Sequence, residues 1–349
     1  MRPLAMVVPG RLDTPTGGYR YDRHMVEGLW RHGWAVEVCE LDDSFPEPTA
    51  AAVAHAARVF ADRPEGTTVL VDGLALGAMP DVIERAAARV RIVAIVHLPL
   101  GADASLDPQT AARRAAAERR ALAAAALIVV TGRATRTLLA QYGIAEGRLI
   151  VIEPGTARAR LARGSGGAPL ELLTVATLNR IKGHDILMAA LASMRHLEWH
   201  VTCAGSLNRD PATAERVRAA IRELGLGDRV TLAGELDTVT LDQYYDRADV
   251  FVLATRQETY GMAVAEALAR GLPVVATTTG AIPDLVGAEA GLLVPPGDTR
   301  ALAAALEAIV GDGERRAQLA AGARRVRERL TDWERACGDM SAALERLDE

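Results

Sequence analysis

Twelve short apolar runs punctuate the chain, and most are followed by a longer alanine- and leucine-rich stretch of helical length. The first six are Leu4–Val8, Trp34–Leu41, Thr68–Val71, Arg91–Val96, Leu127–Thr131 and Leu149–Ile152. The second six are Leu170–Ala176, Leu197–Ala204, Val230–Leu232, Val250–Leu253, Pro273–Thr277 and Gly291–Val294. None alternates strictly between apolar and polar positions. A strand of that kind is buried on both faces, as in a parallel sheet covered by helices on each side. Two such series predict an α/β protein with two Rossmann-like, doubly wound parallel-sheet domains.

The series break after Pro154-Gly155. Residues 158–169 follow, with Arg-Gly-Ser-Gly-Gly at 163–167, a composition suited to a flexible connector. The expected domains are 1–157 and 158–330. Residues 331–349 have the spacing of one more amphipathic helix, expected to cross back to the first domain. Open sheets of this type bind ligands at the carboxyl ends of their strands. Two domains facing each other across a cleft would therefore hold the ligand there.

At 349 residues the chain exceeds what one core normally supports. A net charge of -5 gives no broad field for nucleic acid. Residues 161–349 are the more acidic part, so an anion bound there must be held by local groups. The three cysteines, Cys39, Cys203 and Cys337, are far apart and form no CxxC, which points to a reducing compartment and away from a zinc site. No apolar run approaches the roughly 18 residues of a membrane span, and no cleavage pattern precedes Leu4. These features read as a cytoplasmic protein.

One position stands out chemically. Lys182 is the only lysine among 40 basic residues, inside Asn179-Arg180-Ile181-Lys182-Gly183 and directly after an apolar run. A guanidinium fork and an ammonium point charge at the carboxyl end of a strand suit an anion such as phosphate. A second feature is Glu258-Thr-Tyr-Gly-Met-Ala-Val-Ala-Glu266. Gly261 breaks the chain, Met262–Ala269 reads as helix, and Gly271-Leu272-Pro273 stops it. The amides at that helix start form an anion site, and carboxylates beside it suit sugar hydroxyls. A structural alternative is equally open: Glu266 paired with Arg270 at i,i+4 and Glu258 capping the helix.

Together these segments resemble the retaining glycosyltransferases of family four, which have the GT-B fold. The resemblance extends over most of the chain. It includes the basic turn Arg180-Ile181-Lys182-Gly183, here with one residue between the two cations, and the Glu258-to-Ala267 element followed by Gly271-Leu272-Pro273-Val274. It continues through Gly280-Ala281-Ile282-Pro283-Asp284, Gly291-Leu292-Leu293-Val294-Pro295-Pro296-Gly297-Asp298 and, near the start, Thr16-Gly17-Gly18. A glycine pair followed by Glu is usual in the family where Gly280-Ala281 and Asp284 stand here.

The resemblance implies transfer of a hexose-type sugar from a nucleotide-diphosphate sugar, without metal and with no cofactor beyond that co-substrate. It implies that Arg180 and Lys182 hold the diphosphate, and that Glu258 contacts the transferred sugar while Glu266 takes the ribose. Amides around Tyr260, Gly261 and Met262 would assist. Gly205 and Ser206 would lie near the nucleoside, and Leu236 would face the base. Gly17 and Gly18 would admit a phosphate or the acceptor, against the alternative of an ordinary turn. His97 would lie near the donor sugar and acceptor, or simply cap its strand. The acceptor is unidentified: a small molecule, a lipid or a glycan. Its surface is expected from loops around Thr14–Tyr21, Asp72–Leu76 and His97–Asp107. Arg113, Arg114, Arg119 and Arg120 are scattered around a helix without aromatic company, which argues against a membrane-docking face. A GT-B sugar-nucleotide epimerase or phosphorylase, or a non-catalytic nucleotide-sugar binding protein, are the competing readings.

Overall fold

The computed structural model describes residues 2–347, which divide into two compact units. The first runs to Gly155 and resumes at Thr331; the second is Thr156–Leu330. The chain therefore leaves the first unit two residues before the expected boundary.

In the first unit, β1 (Arg2–Pro9), α1 (Gly17–Arg31), β2 (Trp34–Leu41), α2 (Ala50–Ala61) and β3 (Thr68–Asp72) lead into α3 (Gly73–Ala78) and α4 (Pro80–Ala86). Then come β4 (Arg91–Val96), α5 (Pro108–Ala124), β5 (Leu127–Val130), α6 (Arg133–Leu139) and β6 (Leu149–Val151). The strands form one sheet in the order β2-β1-β3-β4-β5-β6, all parallel. β4 shows why: Ile92, Val93, Ala94, Ile95 and Val96 are all buried, so helices must cover both faces.

The second unit contains β7 (Leu170–Val175), α7 (His184–Ala192), β8 (Trp199–Ala204), α8 (Pro211–Glu223), β9 (Val230–Gly234) and α9 (Thr238–Arg247). It continues with β10 (Val250–Leu253), α10 (Met262–Ala269), β11 (Val274–Thr277), α11 (Ile282–Val286), β12 (Gly291–Val294), α12 (Thr299–Gly311) and α13 (Gly313–Arg327). Its parallel sheet has the order β12-β11-β10-β7-β8-β9. A last helix, α14 (Trp333–Glu345), belongs to the first unit and packs on α1. There Trp333 stacks on His24 at 4.0 Å, and the Trp34 indole donates to Ser341 Oγ at 2.9 Å.

Short polar residues start the helices. Thr16, Thr49, Asp107, Asp210, Asp237, Asp298, Asp312 and Asp332 each accept an amide hydrogen bond from the first turn they precede, a contact that contributes about 1 kcal/mol.

Two expectations need correction. The connector is not loose: Arg163 pairs with Asp246, its amide and that of Gly164 donate to the Asp246 carbonyl, and Ser165 N donates to Asp249. Glycines there supply turns that bring the backbone onto α9 and β10. Residues 73–76, expected as a loop, form most of α3, because Asp72 caps it through Leu74 N at 2.8 Å. The expected 97–107 loop contains a single 3-10 turn at Leu100–Ala102. Arg114 pairs with Glu47, Arg120 pairs with Asp81 and Glu84, and Arg119 lies over the Tyr142 ring. Those three cations on α5 are thus engaged within the unit. No helix among the described residues is long and apolar enough to cross a membrane.

Candidate functional site

The second sheet starts in its middle, at β7, and changes direction between β7 and β10. At such a reversal the loops leaving two adjacent strands run apart and open a crevice. The loop after β7 carries the basic turn. Asn179 Oδ1 accepts from the Ile181 and Lys182 amides, both at 3.1 Å, and tightens Arg180–Lys182 into one 3-10 turn. Gly183 follows at φ 67°, and a Cβ there would collide with the Ala254 carbonyl just beyond β10. Only glycine combines that backbone with so close an approach.

Loop contacts lace the two segments together. Arg256 N donates to the Ile181 carbonyl at 2.6 Å, and the Thr255 hydroxyl to the same oxygen at 3.2 Å. The Arg256 guanidinium donates to the Arg180 carbonyl at 2.7 Å and pairs with Asp185 at 2.6 Å. This lacing sets Lys182 Nζ 2.8 Å from Glu258 Oε2, with both side chains largely buried. Arg180 is exposed, and its side chain makes no ion pair among the described residues.

Gly261, at φ 97°, is the N-cap of α10 and leaves that helix start without a side-chain cap. Glu258 is therefore not the cap; its Oε1 accepts from Thr259 N at 3.1 Å. Glu266 lies inside α10, 9% exposed, and its Oε2 accepts from the Tyr245 hydroxyl at 3.2 Å. Arg270 pairs with Asp242, lies over the Tyr245 ring and donates to the Glu266 carbonyl. The Tyr260 side chain is buried against Ala265 and Ala281. Met262 is half-buried.

Gly205 and Ser206 follow β8, and half-buried Leu236 follows β9. Gly205 N donates to the Gly234 carbonyl at 2.8 Å, and Leu178 N to the Ser206 carbonyl at 3.0 Å. All the candidate residues of this unit thus lie at the carboxyl edge of one sheet. His184, at the start of α7, is buried with neither ring nitrogen hydrogen-bonded among the described residues. Burial pushes its pKa down to about 4, so it is a neutral packing residue.

In the first unit, Gly17 and Gly18 form the first turn of α1 behind the Thr16 cap, and His97 directly follows β4. A Cβ on Gly18 would lie 3.1 Å from His97 Cδ2, so glycine there leaves room for the imidazole. His97 Nε2 lies 3.2 Å from Asp22 Oδ1 and 3.6 Å from Asp72 Oδ2. The Tyr21 ring meets it edge-on at 5.4 Å, and the Thr135 hydroxyl donates to its carbonyl at 3.1 Å. Burial opposes the imidazolium, but Asp22 and then Asp72 outweigh it and hold the His97 pKa above its ordinary value. Burial, then the charge of Asp22, pushes the Asp72 carboxyl up to about 7.

No role was expected for Asp22, and Asp72 entered only as the first residue of the expected acceptor segment Asp72–Leu76. Asp22 carried a signal, because it shares the apolar stripe of α1 with Tyr21, Met25, Val26 and Leu29. A carboxylate on a buried stripe requires a partner.

Residues 169–312 match the family model described as "Glycosyl transferases group 1". Curated relatives include the D-inositol 3-phosphate glycosyltransferase of Xylanimonas cellulosilytica, 30% identical over 61% of this chain and 55% of its own length. That of Jonesia denitrificans is 33% identical over 48% and 40%. The chain spans about half the length of the curated relatives it matches. Among solved structures, sucrose-phosphate synthase from Thermosynechococcus elongatus has a TM-score of 0.85 at 22% identity, over 99% of both chains. Anabaena HepE, solved in complex with UDP and glucose, has 0.79 at 20% identity, over 98% of this chain and 99% of its own. These likenesses bear out the expected GT-B class of α/β fold.

Proposed function

From the match of residues 169–312 to the family model "Glycosyl transferases group 1", we propose that this chain moves a hexose-type sugar from a nucleotide-diphosphate sugar to an acceptor hydroxyl. The transfer proceeds with retention and without a metal ion. The observation that carries this reading is the meeting of Lys182 and Glu258 at 2.8 Å where the second sheet reverses direction. An ammonium for phosphate and a carboxylate for sugar hydroxyls stand side by side there. The relatives' name as glycosyltransferases and the UDP in Anabaena HepE support the same donor class.

As the glycosidic bond breaks, negative charge develops on the leaving diphosphate. Lys182, Arg180 and the uncapped amides at the start of α10 stabilise it, because preorganised donors need no rearrangement at that moment. Glu258 exchanges its contact with Lys182 for a sugar hydroxyl. Glu266, oriented by Tyr245, takes the ribose. Gly205, Ser206 and Leu236 flank the nucleoside. In the first unit, His97, Gly17 and Gly18 serve the acceptor hydroxyl. The acceptor's proton passes to the donor's own phosphate. A cytoplasmic location belongs to the same proposal.

The test is a thermal-shift panel of UDP, GDP and ADP sugars, followed by detection of the free nucleoside diphosphate and sugar that slow hydrolysis releases. Stabilisation by one nucleotide sugar, with hydrolysis of that sugar, is expected. Conversion of the nucleotide sugar into an isomer without release of nucleotide would favour an epimerase instead.

A further inference from the structure

The cluster around His97 has more structure than an acceptor contact needs. Asp22 is fully buried, Asp72 is 3% exposed, and 21% of the His97 side chain reaches solvent. Both carboxylates meet the same ring nitrogen, Nε2. Nδ1 makes no hydrogen bond among the described residues. Asp22 Oδ2 is buried without a partner among them. An orphan buried carboxylate oxygen is destabilising unless a proton or water satisfies it.

We propose that Asp22 and Asp72 are positioning residues that clamp the His97 imidazole through an Nε2–H, so that Nδ1 is the atom His97 offers to a substrate hydroxyl. Asp22, the nearer at 3.2 Å, can only accept while it is ionised, so a lone pair on Nε2 facing it would be repelled and the tautomer is fixed. Two buried carboxylates this close do not both stay ionised. Asp72, pushed up to about 7 by burial and then by the charge of Asp22, is the carboxyl that takes a proton there. The groups facing the ring are Asp22 and Tyr21 from α1 and Asp72 from the end of β3, while Thr135 from α6 holds the His97 carbonyl. Of these Asp72 is the group raised to about 7; Tyr21 is held protonated, because burial raises its pKa well above 10.0.

The tautomer needs no knowledge of the substrate; only the hydroxyl partner rests on the proposed glycosyl transfer. The experiment is long-range 1H–15N correlation on 15N-histidine-labelled protein from pH 5 to 9, with His97→Gln to assign the signal. Wild-type His97 should be neutral only as the Nε2–H tautomer and should titrate above the usual ~6.5. Asp22→Asn keeps an acceptor but removes the charge. It should retain the tautomer while the midpoint falls by about one pH unit or more. Asp72→Asn, which still caps α3, should lower it by less.

An Nδ1–H tautomer, an unmoved midpoint in Asp22→Asn, or displacement of the His97 signal by added Mg2+ or Zn2+ would overturn the proposal. A second arm separates the two readings. If the transfer is as proposed, Asp22→Asn lowers kcat and moves its pH profile with the NMR midpoint, while nucleoside diphosphate affinity is unchanged. Tautomer locking in a protein that binds no nucleoside diphosphate would leave the clamp standing and remove the glycosyl-transfer reading.

Discussion

Lys182 Nζ and Glu258 Oε2, 76 positions apart in sequence, are ion-paired at 2.8 Å. The pair ties the loop after β7 to the loop after β10 and gives the ammonium a carboxylate where the proposed donor brings a phosphate.

The two partners should therefore respond differently to substitution. Lys182→Ala should weaken binding of a nucleoside diphosphate about ten- to hundredfold, ~1.4–2.7 kcal/mol. Glu258→Gln removes the competing charge and should leave that affinity equal or higher. It should abolish the extra affinity contributed by the sugar. Calorimetric titration of both variants with a nucleoside diphosphate and its sugar derivative distinguishes the roles. Equal losses of both ligands in Glu258→Gln would count against a sugar contact.

The close approach at Gly183 yields a stability prediction. Alanine there has to adopt φ 67° and displace the Ala254 carbonyl. Gly183→Ala should destabilise the second unit by about 1–3 kcal/mol, with the loss visible in denaturant unfolding. Gly166→Ala provides a control, since its φ is also positive but a Cβ there would meet no atom within 4 Å; it should cost less.

Burial sets opposite pH responses in the two units. Burial pushes Glu118, held by Leu100 N and Tyr142, up to about 7, and Asp72 is raised to about 7 as well. A raised carboxyl binds its proton more tightly in the folded chain. Its stabilisation is complete below the unfolded values near 4 and is lost as pH rises through about 7. His97 has the same sign. In the second unit His184 is depressed to about 4, so its contribution is present above ~6.5 and lost as pH falls toward 4. Hydrogen exchange should therefore show β4 gaining protection and β7 losing it between pH 8 and pH 5. Glu118→Gln should flatten the response of the first unit only.

Much of the fold was legible because these strands are buried on both faces. Continuous apolar runs bounded by glycine, proline and aspartate mark such strands clearly. Trp34–Leu41, Arg91–Val96, Val250–Leu253 and Gly291–Val294 match the structure residue for residue, and so does helix Met262–Ala269. Contacts that depend on strand order were not legible. Lys182 meets Glu258 only because β7 and β10 are neighbours. Asp22 meets His97 only because α1 crosses the carboxyl end of β4. Composition misled at residues 158–169, where glycine and serine serve hydrogen-bonded turns instead of slack. Asp22 and Glu118 share one readable signal, an acidic residue on an otherwise buried helix stripe.

The most direct measurement is a crystal structure of the chain soaked with the nucleotide sugar that gives the largest thermal shift. The account predicts a diphosphate against Arg180, Lys182 and the amides at Gly261–Met262, with Lys182 Nζ withdrawn from Glu258 and the sugar hydroxyls on Glu258. A diphosphate bound elsewhere, with the Lys182–Glu258 pair still closed at 2.8 Å, would contradict it.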